Sequence, residues 1–340
     1  MRSVALLAAL LILPACDKKS DDKADATAKK SGDANAKGDG EKGGDSKDGD
    51  KDSKDTAAAA GGGGASAVTY IPESATILVG VDIATLVKNP LYTANKADFD
   101  KDFTKALDAM SKCEVPLENW KTLVMGINPD GEETVTVAIQ ATGLGKKSAL
   151  DCIKKEMEAD GKSEKDEWTI ADDGKTFSNK EAAGFAVSDD LIVMTSLPLK
   201  DSVAELVAGK GKPASAGAMK ALLARVDQTK PVWVSALIPA QFGGMAGATL
   251  GGTPTDVTMT ADFSSGLALH VAVGIDKPAD VAKKAQTEWD KNKALLGTLG
   301  VPQTIADSVK IGAADKTLTI DLSATDADPK SLTEMAKKEL

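Results

Sequence analysis

The chain has 340 residues, a formal net charge of −10, 42% hydrophobic residues and only 4% aromatic residues. This is enough apolar material for one or two domains with an aliphatic core. Because nucleic acid requires a clustered basic face, the acidic balance argues against a nucleic-acid partner. After the first fifteen residues, no apolar run approaches the ~18 residues that a membrane-spanning helix needs.

Residues 1–15 are typical of a secretory signal peptide that ends in a lipidation motif. Arg2 precedes an apolar run over 4–13 that is too short to span a bilayer. The final positions, Leu13-Pro14-Ala15-Cys16, resemble the lipobox of bacterial lipoproteins. The resemblance implies that Cys16 becomes the acylated N-terminus and anchors the chain to a membrane of the cell envelope. The folded part is then in the periplasm or at the cell surface. The alternative is a plain secretory signal with a chance cysteine.

Residues 16–67 are expected to form a disordered tether. Between Asp17 and Asp55 the chain has no Val, Leu, Ile, Met or aromatic residue, and its charges alternate closely. Such a segment cannot bury enough surface to offset its ordering entropy. A coil of ~50 residues has a root-mean-square span of roughly 40 Å. Residues 48–52 resemble the start of a calcium loop, but Ser53 and Ala59 replace its glycine and its closing glutamate. We therefore expect no metal there.

The remaining chain predicts an α+β fold built from two related halves, residues 68–212 and 213–340. Apolar runs bounded by turn residues predict strands at 76–83, 123–127, 134–141, 167–171, 175–178, 184–187, 191–196, 231–238, 257–263, 267–275, 308–311 and 316–322. Apolar stripes at helical spacing predict helices at 98–110, 146–157, 199–207 and 279–296, and a last one after Asp328-Pro329. The same order of elements occurs twice. It indicates a duplicated unit of mainly antiparallel sheet with helices on one face.

Cys113 and Cys152 are the cysteines that remain once Cys16 carries lipid. In an oxidising compartment, an even pair favours a disulfide over two buried thiols. A catalytic thiol is not expected, because the neighbouring sequence supplies no base or positively charged pocket.

The opening of the folded part is similar to a known group of proteins. Tyr70-Ile71-Pro72, the run over 80–83 and Pro90 resemble a pattern in uncharacterised bacterial cell-envelope lipoproteins. Members of that group also combine a leader, a polar tether and a two-part α+β region. The resemblance covers most of the chain loosely, and it implies location and fold. It brings no active site and no cofactor.

Few residues are candidates for catalysis. His270 is the one histidine in the chain, and strand alternation places it with Ala268, Ala272 and Gly274 on one face. A Ser-His-Asp or Cys-His site would need this residue, and a His/Cys zinc site lacks ligands. The alternative interpretation of His270 is an ordinary half-buried or surface strand residue.

Two further patterns favour structural roles. The turn at 143–148 resembles a phosphate-binding loop, but Gln140 occupies a position where the Walker A motif requires glycine. The acidic residues that a hydrolase would use all lie at turns: Asp172, Asp173, Asp189, Asp190, Asp326 and Asp328. We therefore predict no catalytic residue and no cofactor, and a carboxylate-based hydrolase is a less favoured alternative.

The segment 241–253 is rich in glycine and carries Phe242, Met245 and Leu250. One interpretation is a loosely ordered loop or short helix that packs on the core. The other is a mobile apolar flap that contacts a partner or a lipid. The sequence thus predicts a membrane-anchored, non-enzymatic module that binds an envelope component. The alternative is a carrier or chaperone for a hydrophobic ligand.

Overall fold

The computed structural model describes residues 66–89, 92–93, 96, 104–129, 133–159, 168–264, 266–296 and 302–325. The predictions for the leader, for lipidation of Cys16, for the tether up to residue 65 and for the last helix lie outside these residues. So does the beginning of the predicted helix 98–110. The described chain starts just before the predicted boundary at residue 68, and Ala67 is already buried in the core.

Twelve strands in the described residues form one antiparallel sheet, with the order β11-β12-β10-β9-β8-β1-β2-β3-β7-β6-β5-β4. Their bounds are β1 (Ile77–Asp82), β2 (Trp120–Asn128), β3 (Thr134–Ala141), β4 (Thr169–Ile170), β5 (Thr176–Ser178), β6 (Ala182–Ser188), β7 (Leu191–Ser196), β8 (Val232–Leu237), β9 (Pro254–Asp262), β10 (Leu267–Ile275), β11 (Lys310–Ala314) and β12 (Thr317–Ala324). The predicted α+β class with a large antiparallel sheet is confirmed.

The described helices occupy the connections between strands. They are α1 (Ile83–Leu86), α2 (Thr104–Lys112), α3 (Lys147–Ala159), α4 (Lys200–Val207), α5 (Lys220–Leu223), α6 (Ala240–Leu250), α7 (Pro278–Leu296) and α8 (Gln303–Ser308). The sequence did not indicate α1, α5 or α8. Each has at most six residues, which is too short to show a full amphipathic period.

The strands β1 and β8 meet at the centre of the sheet and join its two sides. Val79 lies opposite Val234, and Gly80 lies opposite Trp233. From this β1–β8 seam, each side continues outward with the two strands of a hairpin, β9 and β10 on one side and β2 and β3 on the other. Two more strands follow beyond β10, and four more follow beyond β3. The two predicted halves therefore contribute to one continuous sheet, in which β1 and β8 pair directly.

Gly80 and Trp233 make a close cross-strand contact at the seam. Trp233 is 1% exposed, and a methyl group at position 80 would overlap its indole ring. An aromatic side chain that lies across a glycine in this way covers backbone that would otherwise be unpacked. Glycine at position 80 is thus required by the position of the indole.

Helices pack on both faces of the sheet, which differs from the expectation of one covered face. Val203 of α4 and Leu222 of α5 belong to the core that contains Leu78 and Trp233. On the opposite face, α7 packs through Val281 on a smaller cluster that includes Leu318. We call the face that carries the indole the Trp233 face. Long strand stretches with apolar residues on both faces allow this arrangement.

Cys113 and Cys152 form a disulfide in the structure. Their Cα atoms are 5.7 Å apart, and the bond connects the residue that follows α2 to α3. An ion pair between Lys112 and Glu156, with 3.0 Å between Nζ and Oε2, lies beside it. The bond closes a loop of 39 residues, which restricts the unfolded chain.

We expect the Gly80→Ala substitution to lower the free energy of unfolding by about 1–3 kcal/mol, because the new methyl group overlaps the Trp233 indole. Urea denaturation measures the change. Gly244→Ala is the matched control, since position 244 is a helical glycine with open space around it. That control should leave stability unchanged or raise it by up to about 1 kcal/mol. Equal effects of the two substitutions would contradict the packing role of Gly80.

We expect replacement of both Cys113 and Cys152 by alanine to lower the free energy of unfolding by about 3–4 kcal/mol, because the unfolded chain regains the entropy of the open loop. Urea denaturation of the oxidised parent and the double variant measures this difference. The reduced parent serves as control and should match the variant. An unchanged midpoint on reduction would show that the bond does not restrain the unfolded chain.

Candidate functional site

A polar cleft of about 290 Å³ opens on the Trp233 face of β9, β10 and β12. The ionisable residues of its lining are Lys230, Asp262, His270, Lys310 and Asp321. His270 lies opposite Thr260 on one side and opposite Asp321 on the other, and Asp321 lies opposite Lys310. Directly opposed residues project to the same side of a sheet, so these side chains form one transverse row.

His270 and Asp321 form a pair within this row. The distance from Nδ1 of His270 to Oδ1 of Asp321 is 2.6 Å, and each side chain is about half exposed. A carboxylate can orient an imidazole for proton transfer, but acyl transfer also needs an available nucleophile. The nearby Ser308 hydroxyl donates to the Ile305 carbonyl and accepts from the Ser323 amide. The Ser308 hydroxyl therefore has local backbone partners that explain its position.

Lys230 and Asp262 form a second ion pair at the edge of the cleft, with 2.8 Å between Nζ and Oδ2. The hydrogen bond from Lys230, followed by the bond from the Ser264 amide, lowers the pKa of Asp262 to about 2. The same pairing raises the pKa of Lys230 above its usual value. Both groups are therefore charged over the whole physiological range of pH. The cleft offers fixed charges of both signs to a small polar ligand.

The segment 241–253 contains a helix, α6, and the short helix was one of the forms that the sequence left open. The helix begins after Pro239 and ends at Gly251, which adopts a left-handed conformation with φ of 86°. Gly243 is buried, and a methyl group there would lie 2.6 Å from the Pro254 carbonyl oxygen. Glycine therefore lets α6 approach the start of β9 closely.

The helix α6 carries two exposed apolar side chains, eight residues apart. Phe242 is 56% exposed and Leu250 is 36% exposed. We call these two residues the α6 surface. Met245 belongs to the same helix, and its side chain lies outside what the structure describes. Since large apolar side chains exposed close together are uncommon on a globular protein, the α6 surface is a candidate contact site.

The glycine turn at 143–148 packs against another turn. The Gly143 amide donates to the Asp190 side chain over 2.7 Å, and the Gly145 amide donates to the Asp189 carbonyl over 2.9 Å. These amides are thus occupied by the chain itself, and they do not point at an open phosphate site. The same contacts give Asp189 and Asp190 a structural role. Asp173 caps its own turn by accepting from the Lys175 amide.

Neither a metal-binding cluster nor a membrane-spanning helix is found in the described part of the chain. No group of three or more His, Cys, Asp or Glu side chains lies close enough there to hold an ion. Likewise, none of the helices in these ranges is both long and apolar enough to cross a bilayer. Asp326 and Asp328 lie outside the described residues.

Comparison with known proteins gives distant structural similarity. No protein-family model and no curated protein matches the chain. The backbone of TP0453, a treponemal lipoprotein, superposes in part on the backbone of this chain in three crystal forms. Form I has 7% identity and a TM-score of 0.44, and the match covers 80% of this chain and 97% of TP0453. Form III has 7% identity, a TM-score of 0.46 and coverage of 79% and 97%. Form IV has 8% identity, a TM-score of 0.42 and coverage of 79% and 96%.

We expect Lys230→Met to raise the pKa of Asp262 from about 2 toward the ordinary 3.8, because the strongest partner of the carboxylate is lost. In the parent, the lowered pKa gives a stabilising contribution that is complete above about pH 4. That contribution is lost as the pH falls toward 2. An NMR titration of the Asp262 carboxyl group measures the shift. Lys310→Met, in the same cleft, is the control and should leave this pKa unchanged. The same titration curve in all three proteins would contradict the assignment.

Proposed function

We propose that this protein is a lipid-anchored protein of the bacterial cell envelope. Its folded part is a non-enzymatic binding module in the periplasm or at the cell surface. The observation that carries the location is Leu13-Pro14-Ala15-Cys16 at the end of a short apolar leader. One acyl chain binds a membrane only marginally, whereas several chains on one cysteine hold it stably.

The contrast between the α6 surface and the polar cleft supports a binding role. In the cleft, the Ser308 hydroxyl near His270 is held by two backbone groups, and Lys230 is paired with Asp262. On α6, the Phe242 side chain is more than half exposed, although burying it would be favourable. A surface that leaves such a group in water fits contact with another component better than it fits chemistry on a substrate.

The alternative of a hydrophobic carrier requires an apolar pocket of about 300 Å³ or more. The polar cleft has nearly this volume, but charged side chains line it. The aliphatic strands that suggested a carrier instead pack the core around Leu78, Val124 and Trp233. Native mass spectrometry distinguishes the two functions, because a carrier retains a lipid-sized mass on its folded part.

We expect the mature protein to begin at Cys16 and to carry acyl chains on its N-terminal peptide, as the lipobox predicts. Mass spectrometry of the protein purified from bacterial membranes measures both features. Labelled palmitate should be incorporated by the parent and should be lost in Cys16→Ala.

The Cys113→Ala/Cys152→Ala variant is the matched control for this experiment. It makes the same change at two cysteines that form a disulfide, so it should incorporate palmitate as the parent does. A mature N-terminus at another residue, or an unmodified Cys16, would remove the anchor from the proposal.

A further inference from the structure

We infer that α6 rests on the lipid surface to which the chain is anchored, with Phe242 and Leu250 among the acyl chains at its boundary. This inference depends on the proposed lipid anchor and adds the orientation of the folded part. The surface in question also includes Leu197, which is 37% exposed. We call these three residues the apolar rim.

The first observation is that the segment that contains α6 carries no charged side chain. Residues 238–255 contain no Asp, Glu, Lys, Arg or His, although 27% of the chain is Asp, Glu, Lys or Arg. Burial of an ionised side chain among the acyl chains is costly, whereas aromatic and aliphatic side chains are buried there favourably. A helix without charges can lie in that boundary without burying an ionised group.

The second observation is the shape of α6. Its inward side uses glycine, because Gly243 approaches Pro254 closely and Gly247 lies against residues 252–253. Close backbone packing on that side leaves Phe242 to project outward, while Leu250 is partly exposed at the last residue of the helix. The three glycines of α6 also make it a weak helix by itself, so an apolar environment would add to its stability.

The third observation is that the apolar rim lies at one end of the sheet. Phe242 and Leu250 are between the end of β8 and the start of β9, and Leu197 directly follows β7. Because the strands from β8 through β1, β2 and β3 to β7 pair antiparallel, the end of β8 and the end of β7 lie on the same side of the sheet, where strands end. Four strand spacings separate β8 from β7, or about 19 Å. Four large apolar side chains are exposed among the described residues, and three of them therefore lie at the same end of the strands.

The fourth observation is where the chain from the anchor reaches the fold. The described chain begins at Ser66, and residue 76 directly precedes β1. The Leu237 amide, near the start of α6, donates to the Thr76 carbonyl over 2.9 Å. The first strand, β1, therefore starts at the end of the sheet that carries the apolar rim. A lipid on Cys16 would hold the folded part near a bilayer, so even weak partitioning of α6 is sufficient for contact.

A lipid surface fits α6 better than a protein partner does. An 11-residue helix is about 16 Å long, whereas a stable protein interface buries roughly 800 Å² on each partner. The neighbouring charged groups at this edge include Asp276 and Lys277, which have opposite signs. No excess of positive charge selects anionic headgroups, so we expect contact with zwitterionic lipid as well.

The test places one reporter on the rim and one away from it. The mature, acylated full chain is reconstituted in phosphatidylcholine vesicles as Phe242→Trp and, separately, as Leu295→Trp. Leu295 is the matched control because it is 58% exposed. It lies two residues after Lys293, which pairs with Asp307 at the opposite edge of the sheet. The measurement is quenching of the added tryptophan fluorescence by phosphatidylcholine brominated in its acyl chains, relative to the parent protein.

We expect quenching at position 242 to exceed quenching at position 295 by about twofold or more, because a helix in the boundary places its apolar face within ~5–10 Å of the acyl chains. Leu250→Trp is a second reporter on α6 and should behave like Phe242→Trp. Equal quenching on and off the rim, or quenching at none of the three positions, would overturn the inference. Thermal unfolding shows that each variant is folded. If Cys16 is not acylated, mass spectrometry shows it separately, so failure of the anchor is distinguishable from failure of the α6 contact.

Discussion

The pairing of β1 with β8 is the constraint on which the rest of the fold depends. The two strands are far apart in sequence, and their pairing converts two sets of strands into one sheet. The contact of Trp233 with Gly80 fixes the register at this point, because any larger side chain at position 80 would displace the indole. Such a non-local pairing requires closure of a long loop before its contacts form. The position of the apolar rim follows from it, since α6 begins where β8 ends.

The sequence predicted best those strands whose signals are local. The observed bounds of β3, β7 and β10 equal the predicted ranges, because alternating or continuous apolar runs end there at clear turn residues. The sequence did not show that β1 and β8 pair. No local pattern encodes which strands become neighbours, and the glycine at position 80 is recognisable as a packing site only once Trp233 lies opposite. The packing of helices on both faces depends on the same tertiary contacts.

The candidate site shows the same division between local and distant information. Alternation along β10 placed His270 on the correct face of its strand, but its partner Asp321 is 51 residues away and no spacing indicates it. For α6, the glycines left a loop and a short helix as open interpretations, since glycine is a poor helix former. The structure explains them, because Gly243 and Gly247 face the backbone of residues 252–254. The glycines that left the loop interpretation open are therefore the glycines that close packing of this helix needs.

The polar cleft and the apolar rim lie toward opposite ends of the strands. This separation decides which of the two sites an anchored protein would expose to water. Lys230 precedes β8 and Asp262 ends β9, whereas α6 connects the other ends of these two strands. At about 3.3 Å per residue, the row that contains His270 is roughly 15–25 Å from the edge that carries α6. If that edge rests on the bilayer, the cleft faces the aqueous side, beyond the ~8 Å over which membrane surface charge acts at physiological salt. The fixed charges of Lys230 and Asp262 would then be available to a polar ligand while the lipids occupy α6.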